Sequence, residues 1–175
     1  MDWFDAPFLA LTYLGSGYAH VAVAVLCAWW ISPRAGVQVG LVFAASWLIN
    51  WWIKDLVEYP RPFELGAGAV TDLVRATAVG TSWPSGHVQN TTAVWSFLAL
   101  TRGRPRGGGR PRAWLWALAA ALVTMVAATR LVLGVHVLGD VLGGLAVGLA
   151  VGAGATGLVR WHDRRTCRRE PRGEA

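Results

Sequence analysis

Residues 129–152 read TRLVLGVHVLGDVLGGLAVGLAVG. Arg130, His136 and Asp140 interrupt an apolar, glycine-rich run that continues from Val135 to Val159 and is long enough to cross a bilayer. Ionisable side chains at membrane depth are costly unless they are paired or face water, so a chain that keeps them there is using them. Working outward, two more polar clusters sit at the ends of apolar stretches: Lys54 with Arg61-Pro62, and Pro84-Ser85-Gly86-His87. Their mixture of Arg, Lys, His and Asp points to an anion as the thing handled.

The rest of the composition fits this reading. Of 175 residues 54% are hydrophobic and only 15% charged, which makes one compact domain too apolar for an ordinary soluble protein. The net charge of +6 would suit nucleic acid, but the arginines gather at Arg102 to Arg112 and Arg160 to Arg172, beside apolar segments. Positive-inside topology accounts for them, and no nucleic-acid partner is expected. Cys27 and Cys167 supply neither a disulfide framework nor zinc spacing. Met1-Asp2-Trp3-Phe4-Asp5 lacks a basic leader region, so the first helix is expected to stay in the protein.

The expected fold is all-α, a polytopic transmembrane helical bundle of about five spans plus an N-terminal interfacial helix over residues 3–14. The spans are Tyr18 to Ile31, Ala35 to Ile53, Trp83 to about Leu100, Ala113 to Thr129, and Val135 to Val159. Glu58 to Ser82 carries Pro60, Pro62, Gly66, Gly68 and Gly80 and reads as a lid or re-entrant segment. Residues 1–160 form one membrane-embedded domain, and 161–175 form a basic, disordered cytoplasmic tail. If both basic stretches are cytoplasmic, alternation puts the N-terminus outside and gathers all three clusters on the opposite, outer face.

The clusters divide by chemistry. Lys54, Arg61 and Arg130 are three positive groups, and Arg binds phosphate oxygens as a bidentate fork. Either Lys54 or Arg61 alone reads equally well as an interfacial flank; three cations opposite the positive-inside face do not. Ser85, Gly86 and His87 open a helix whose free N–H groups favour an anion, although Ser82 or Ser85 also reads as a plain N-cap. His136 and Asp140, four apart, share a helix face, so the carboxylate can hold one ring N–H and leave the other nitrogen free to attack phosphorus. A self-satisfying buried pair is the bland alternative. Metal binding by His87, His136, Asp140 and Glu58 is disfavoured because three cations would repel it and already neutralise charge.

Lys54 followed after six residues by Arg61-Pro62, then Pro84-Ser85-Gly86-His87, then Arg130 followed after five residues by His136 and after three more by Asp140, resembles the pattern of type 2 phosphatidic acid phosphatases, the PAP2 superfamily. Thr129 stands where that family usually has Ser. The family commonly has six spans with a cytoplasmic N-terminus, and a missing first span would account for five.

The resemblance implies a PAP2/haloperoxidase-like core and phosphate binding by Lys54, Arg61, Ser85, Gly86 and Arg130. It further implies His136 as nucleophile through a phosphohistidine, Asp140 as its orienting group, His87 as acid, and neither metal nor other cofactor. The partners implied are a lipid phosphate substrate and membrane lipids, at the extracytoplasmic face of the cell membrane. Candidate substrates are phosphatidic acid, phosphatidylglycerol phosphate, an isoprenyl diphosphate or a sphingoid phosphate. Trp83 and Trp51-Trp52 border a lipid path or simply belong to the interfacial belt. A phosphotransferase on the same site and a non-catalytic phospholipid or anion carrier are the competing functions; haloperoxidases share the pattern but are soluble. The stripe Gly144, Gly148, Gly152 permits a homodimer face, though packing inside a monomer is favoured.

Overall fold

The computed structural model describes residues 5–66, 68, 70–103 and 112–169. Among these residues there are helices and turns and no strand, as the all-α expectation requires. The helices are α1 (Asp5–Thr12), α2 (Gly17–Trp30), α3 (Pro33–Val57), α4 (Asp72–Ala76), α5 (Gly86–Arg102), α6 (Ala113–Val132) and α7 (Leu138–Arg169). Local chemistry sets their ends. The Ser32 hydroxyl accepts from the Ala35 N–H at 3.2 Å and Pro33 opens α3, while Glu58 in the left-handed region (φ 45°) closes it. Gly134 (φ 67°) ends α6 and turns the chain toward His136.

α5 is the centre of the bundle, packed against α7, α6 and α3. Val88, Ala93, Val94 and Ala99 are fully buried, and so are polar Gln89, Thr91 and Thr92. α3 answers Gln89 and its neighbour Asn90, and Thr91 bonds back to the His87 carbonyl at 2.7 Å. Gln89 donates to the Ser46 carbonyl at 2.8 Å, Ser46 to Asn90 at 2.7 Å, and Asn50 to Gln89 at 2.9 Å. Against α7 the approach is closer still. A Cβ on Gly144 would lie 2.6 Å from the Ser85 carbonyl oxygen, and one on Gly148 would lie 2.5 Å from that of Gln89. The glycine stripe thus serves packing within the chain, the favoured reading, and does not present a face for a second copy.

Among the described residues three segments are long and apolar enough to cross a membrane: Pro33–Leu65, Ala113–Val132 and Leu138–Thr166. A fourth results if α1 with its 3-10 turn and α2 form one span, bent by 51°. This falls short of the expected five. α5, the expected third span, has 17 residues and is shielded by its neighbours, so it needs no lipid-facing apolar surface. The N-terminal helix is also more than a surface element, since Thr12 and Gly15 are buried against the bundle.

Two further expectations are corrected or sharpened. The tail expected to be disordered from 161 instead continues α7 to Arg169, with Asp163 paired to Arg34 and Arg160 donating to the Leu100 carbonyl. These contacts stabilise a helix that an arginine-rich composition alone does not suggest. Residues 170–175, like 104–111 of the basic loop and 1–4 of the N-terminus, lie outside the described residues. The connection after α3 folds as a 3-10 turn (Pro62–Leu65) and α4, with Val74 packed on Leu133 and Val135 and bordered by Phe8, Leu9 and Phe63. It is a packed cap over one end of the bundle.

Because α5 and α7 meet backbone to backbone, Gly148→Val is expected to destabilise the protein by roughly 1–3 kcal/mol. Gly157→Ala, where an added methyl meets nothing, is expected to be neutral or to stabilise by up to about 1 kcal/mol. Unfolding in detergent, followed by circular dichroism, checks both.

Candidate active site

The ends of α3, α5 and α6, the turn between α1 and α2, the stretch before α7 and the cap line an open cavity of about 500 Å3, with Asp55 and Glu58 also on its wall. Lys54, Arg61, Gly86, His87, Arg130 and His136 all line it, so alternation of the helices does bring the three clusters together. Ser85 and Asp140 stand behind this wall, both essentially inaccessible.

Each cation is held by the chain itself. Arg61, 2% exposed, donates from Nε to the Gly80 carbonyl at 2.8 Å, from Nη2 to that of Val79 at 2.9 Å and from Nη1 to that of Val135 at 3.1 Å. Arg130 donates from Nη1 to the Thr12 and Thr77 hydroxyls at 2.9 and 3.0 Å, and its Nε has no hydrogen-bond partner. Lys54, on the last turn of α3, donates to the Thr81 carbonyl. Among the described residues no carboxylate forms an ion pair with any of the three. Buried positive charge without a negative partner is costly, so a cavity lined this way suits an anion.

His136 lies between α6 and α7, in a stretch outside both helices. Its Nδ1 is 3.1 Å from Asp140 Oδ2, and its Nε2 is 3.4 Å from Arg61 Nη1. Arg61 can only donate and the carboxylate can only accept, so the proton sits on Nδ1 and the unprotonated Nε2 turns its lone pair toward the Arg61 guanidinium. Burial lowers the imidazole pKa; the Asp140 hydrogen bond opposes this, while the charges of Arg130 and Arg61 add to it, leaving it at about 4. The ring is therefore neutral at physiological pH.

At the start of α5 the Ser85 N–H donates to the Asp140 carbonyl at 3.0 Å, tying the second cluster to the third. The Ser85 hydroxyl makes no capping bond and is buried without a partner, so the plain N-cap reading does not apply to it. At Gly86 a Cβ would come within 2.9 Å of Asn50 Oδ1. The close approach there is to a side chain of α3, beside whatever room the missing Cβ leaves for a ligand.

Several contributors were not singled out from the sequence. Asn50 lines the cavity and donates to the Pro84 carbonyl at 3.2 Å. Its signal was a polar residue four before Lys54 on an otherwise apolar helix. Thr12 and Thr77 hold Arg130 from distant parts of the chain, and no local pattern announces them. Of the tryptophans, Trp51 lines the cavity, whereas Trp83 packs its indole on Gly143.

Residues 35–166 match the model of the PAP2 superfamily. Phosphatidylglycerophosphatase B of Bacillus subtilis (strain 168) is 28% identical over 153 residues, which cover 84% of this chain and 71% of that protein. Lipid phosphate phosphatase delta of Arabidopsis thaliana is also 28% identical, over 84% of this chain but only 36% of its own length. Among solved structures, a transmembrane PAP2-type phosphatidylglycerolphosphate phosphatase from Bacillus subtilis is similar with a TM-score of 0.70 at 23% identity, covering 91% of this chain and 78% of that one. This structural likeness extends to the fold.

Uncompensated cations predict that anion occupancy stabilises the folded state. Inorganic phosphate at about 100 times its dissociation constant is expected to add about 2.7 kcal/mol, against matched ionic strength in chloride. Arg130→Gln is expected to abolish most of that gain. Thermal unfolding in detergent with increasing phosphate measures both.

Proposed function

The chain belongs to the PAP2 superfamily and is a membrane lipid phosphatase, and from that premise we propose that it hydrolyses a lipid phosphate monoester or diphosphate through a phosphohistidine on His136, without a metal. The observation that carries this reading is a neutral His136 whose unprotonated Nε2 lies beside Arg61, on a cavity that Lys54 and Arg130 also line and where none of the three cations forms an ion pair with a carboxylate among the described residues.

In this mechanism Lys54, Arg61 and Arg130 bind the phosphoryl oxygens together with the Gly86 N–H; the Ser85 hydroxyl, to which the resemblance gives the same role, stands buried behind the cavity wall and would have to turn toward the bound phosphate. His136 Nε2 attacks phosphorus. Asp140 holds the Nδ1 proton and stabilises the positive charge that develops on the ring. The bond from phosphorus to the leaving oxygen breaks and His87 gives that oxygen its proton; burial and the Arg130 charge hold the His87 pKa well below the usual imidazole range in the free protein, so the acid form is the one loaded when the anionic substrate binds beside it. Water then attacks the phosphohistidine, with His87 taking up the proton, and inorganic phosphate leaves. The cations spread the charge of the transferred group, the part a metal plays elsewhere.

For the lipid, phosphatidylglycerol phosphate has the support of the Bacillus subtilis relative's name; phosphatidic acid, isoprenyl diphosphates and sphingoid phosphates share the same chemistry. We place the site at the extracytoplasmic face of the cell membrane. Arg34 and Arg160 mark the opposite end of the bundle, where positive-inside topology locates the cytoplasm.

Purified protein in detergent with EDTA is expected to release phosphate from at least one of these lipids. His136→Ala is expected to lose on the order of 10^4-fold or more. Label from a radiolabelled donor should appear on the protein as an acid-labile, alkali-stable adduct. No release by wild type, or an active His136→Ala, sinks the mechanism. Transfer of label to a second lipid instead of water makes the enzyme a phosphotransferase, and liposome transport without phosphate loss makes it a carrier.

The pH profile follows with its sign. The reactive form of His136 is neutral and its pKa is lowered, so activity persists below the usual imidazole range and is lost only as pH falls toward about 4. The acid limb of kcat/KM in an acid-stable detergent reads this directly.

A further inference from the structure

We propose that Ser82, outside the three clusters, is a positioning residue that fixes the Asp140 carboxylate and through it the His136 ring. Its hydroxyl donates to Asp140 Oδ2 at 2.6 Å and lies 3.4 Å from His136 Nδ1. The same carboxylate oxygen accepts from His136 Nδ1 at 3.1 Å and from the Val137 N–H at 3.0 Å. Three donors on one oxygen leave the carboxylate a single orientation, the one that aims Nε2 into the cavity.

The N-cap alternative fails for Ser82. α5 begins at Gly86 with Ser85 at the N-cap position, and the Ser82 hydroxyl points across to the first turn of α7. The residue is wholly buried and does not line the cavity, so it acts on the reaction without touching substrate. It is also held from the other side. Its N–H donates to the Tyr59 carbonyl at 2.7 Å, and its own carbonyl is 3.5 Å from Lys54 Nζ. Ser82 therefore joins the segment carrying Lys54 and Arg61 to the segment carrying His136 and Asp140.

Removing the hydroxyl does two things. Asp140 gains freedom to rotate, and its charge, shared among fewer donors, holds the His136 Nδ1 proton more tightly. The ring then accepts a second proton more readily, and the neutral nucleophile is lost at higher pH. The other charged or titratable groups facing this pair are Arg61 from the cap, Arg130 from α6, His87 from α5 and Lys54 from α3. All remain in Ser82 variants, so a shift is attributable to the missing hydroxyl.

This inference rests on His136 being the nucleophile, and the test separates the two. Phosphate release is measured with Ser82→Ala, Ser82→Thr and His136→Ala, together with thermal unfolding of each. Ser82→Ala is expected to lower kcat roughly ten- to hundredfold, the scale of one hydrogen bond to a charged group, with KM unchanged. The acid limb of its kcat/KM profile is expected to move to higher pH, and Ser82→Thr, which keeps the hydroxyl, to recover most of the rate. Wild-type kcat and pH profile in Ser82→Ala overturn the inference. So does a raised KM at unchanged kcat, or a loss that follows unfolding in both variants. An inactive His136→Ala beside a fully active Ser82→Ala leaves the mechanism standing and removes only this positioning role; an active His136→Ala removes the mechanism itself.

Discussion

Holding three cations around one cavity, Arg61 and Arg130 buried and Lys54 half-buried, is the constraint on which the rest of the structure depends. The side chains of Lys54, Arg61 and Arg130 form no ion pair with a carboxylate among the described residues, and the chain must still satisfy their N–H groups. It does so largely with backbone carbonyls and threonine hydroxyls. Carbonyls within a helix are already engaged, so free ones come from irregular backbone, which membrane depth tolerates only where protein or a water-filled cavity covers it. Val79, Gly80 and Thr81 supply them from the connection between α3 and α5. The glycines and prolines of that connection are therefore part of the site, because a regular helix there would leave Arg61 unsatisfied.

The same constraint explains why α5 and α7 touch so closely. Asp140 on α7 must reach both His136 and the start of α5, where the Ser85 N–H meets its carbonyl. Side chains at Gly144 or Gly148 would push α7 away from the Ser85 and Gln89 carbonyls and so separate His136 and Asp140 from Ser85 and Gly86. Packing and chemistry are coupled through one stripe of glycines. The polar face of α5 completes the arrangement: Gln89 and Asn90 bond to α3, and Asn50 holds Pro84 in place just before the cradle.

Legibility in the sequence tracked how local each signal was. Helix positions followed from apolar runs and the loop signals between them. The spacing from Lys54 to Asp140 marked residues that the structure gathers at one cavity. What needed tertiary information was lost. α5 read simply as the third span, because an apolar run cannot show that other helices surround it. The end of α7 read as a tail because the Arg34–Asp163 pair joins residues far apart in sequence. Thr12, Thr77 and Ser82 gave no sign of their partners, since single hydroxyl residues are common and acquire meaning only from what they face.

Under the proposed mechanism, the division of labour at the cavity also bears on turnover. Cations that bind the substrate's phosphoryl group bind inorganic phosphate too, and affinity shared by both deepens the ground state without lowering the barrier. Here Arg61 and Arg130 already have protein acceptors, so a bound phosphate exchanges part of those contacts and does not fill an empty site. That exchange tempers its net affinity and favours product release. Selective stabilisation of the transition state must then come from groups whose charge changes during the reaction: His136 as it becomes positive, Asp140 beside it, and His87 as it gives up its proton. The carboxylate oxygen on which Ser82, His136 and Val137 converge is where the resting geometry meets that changing charge.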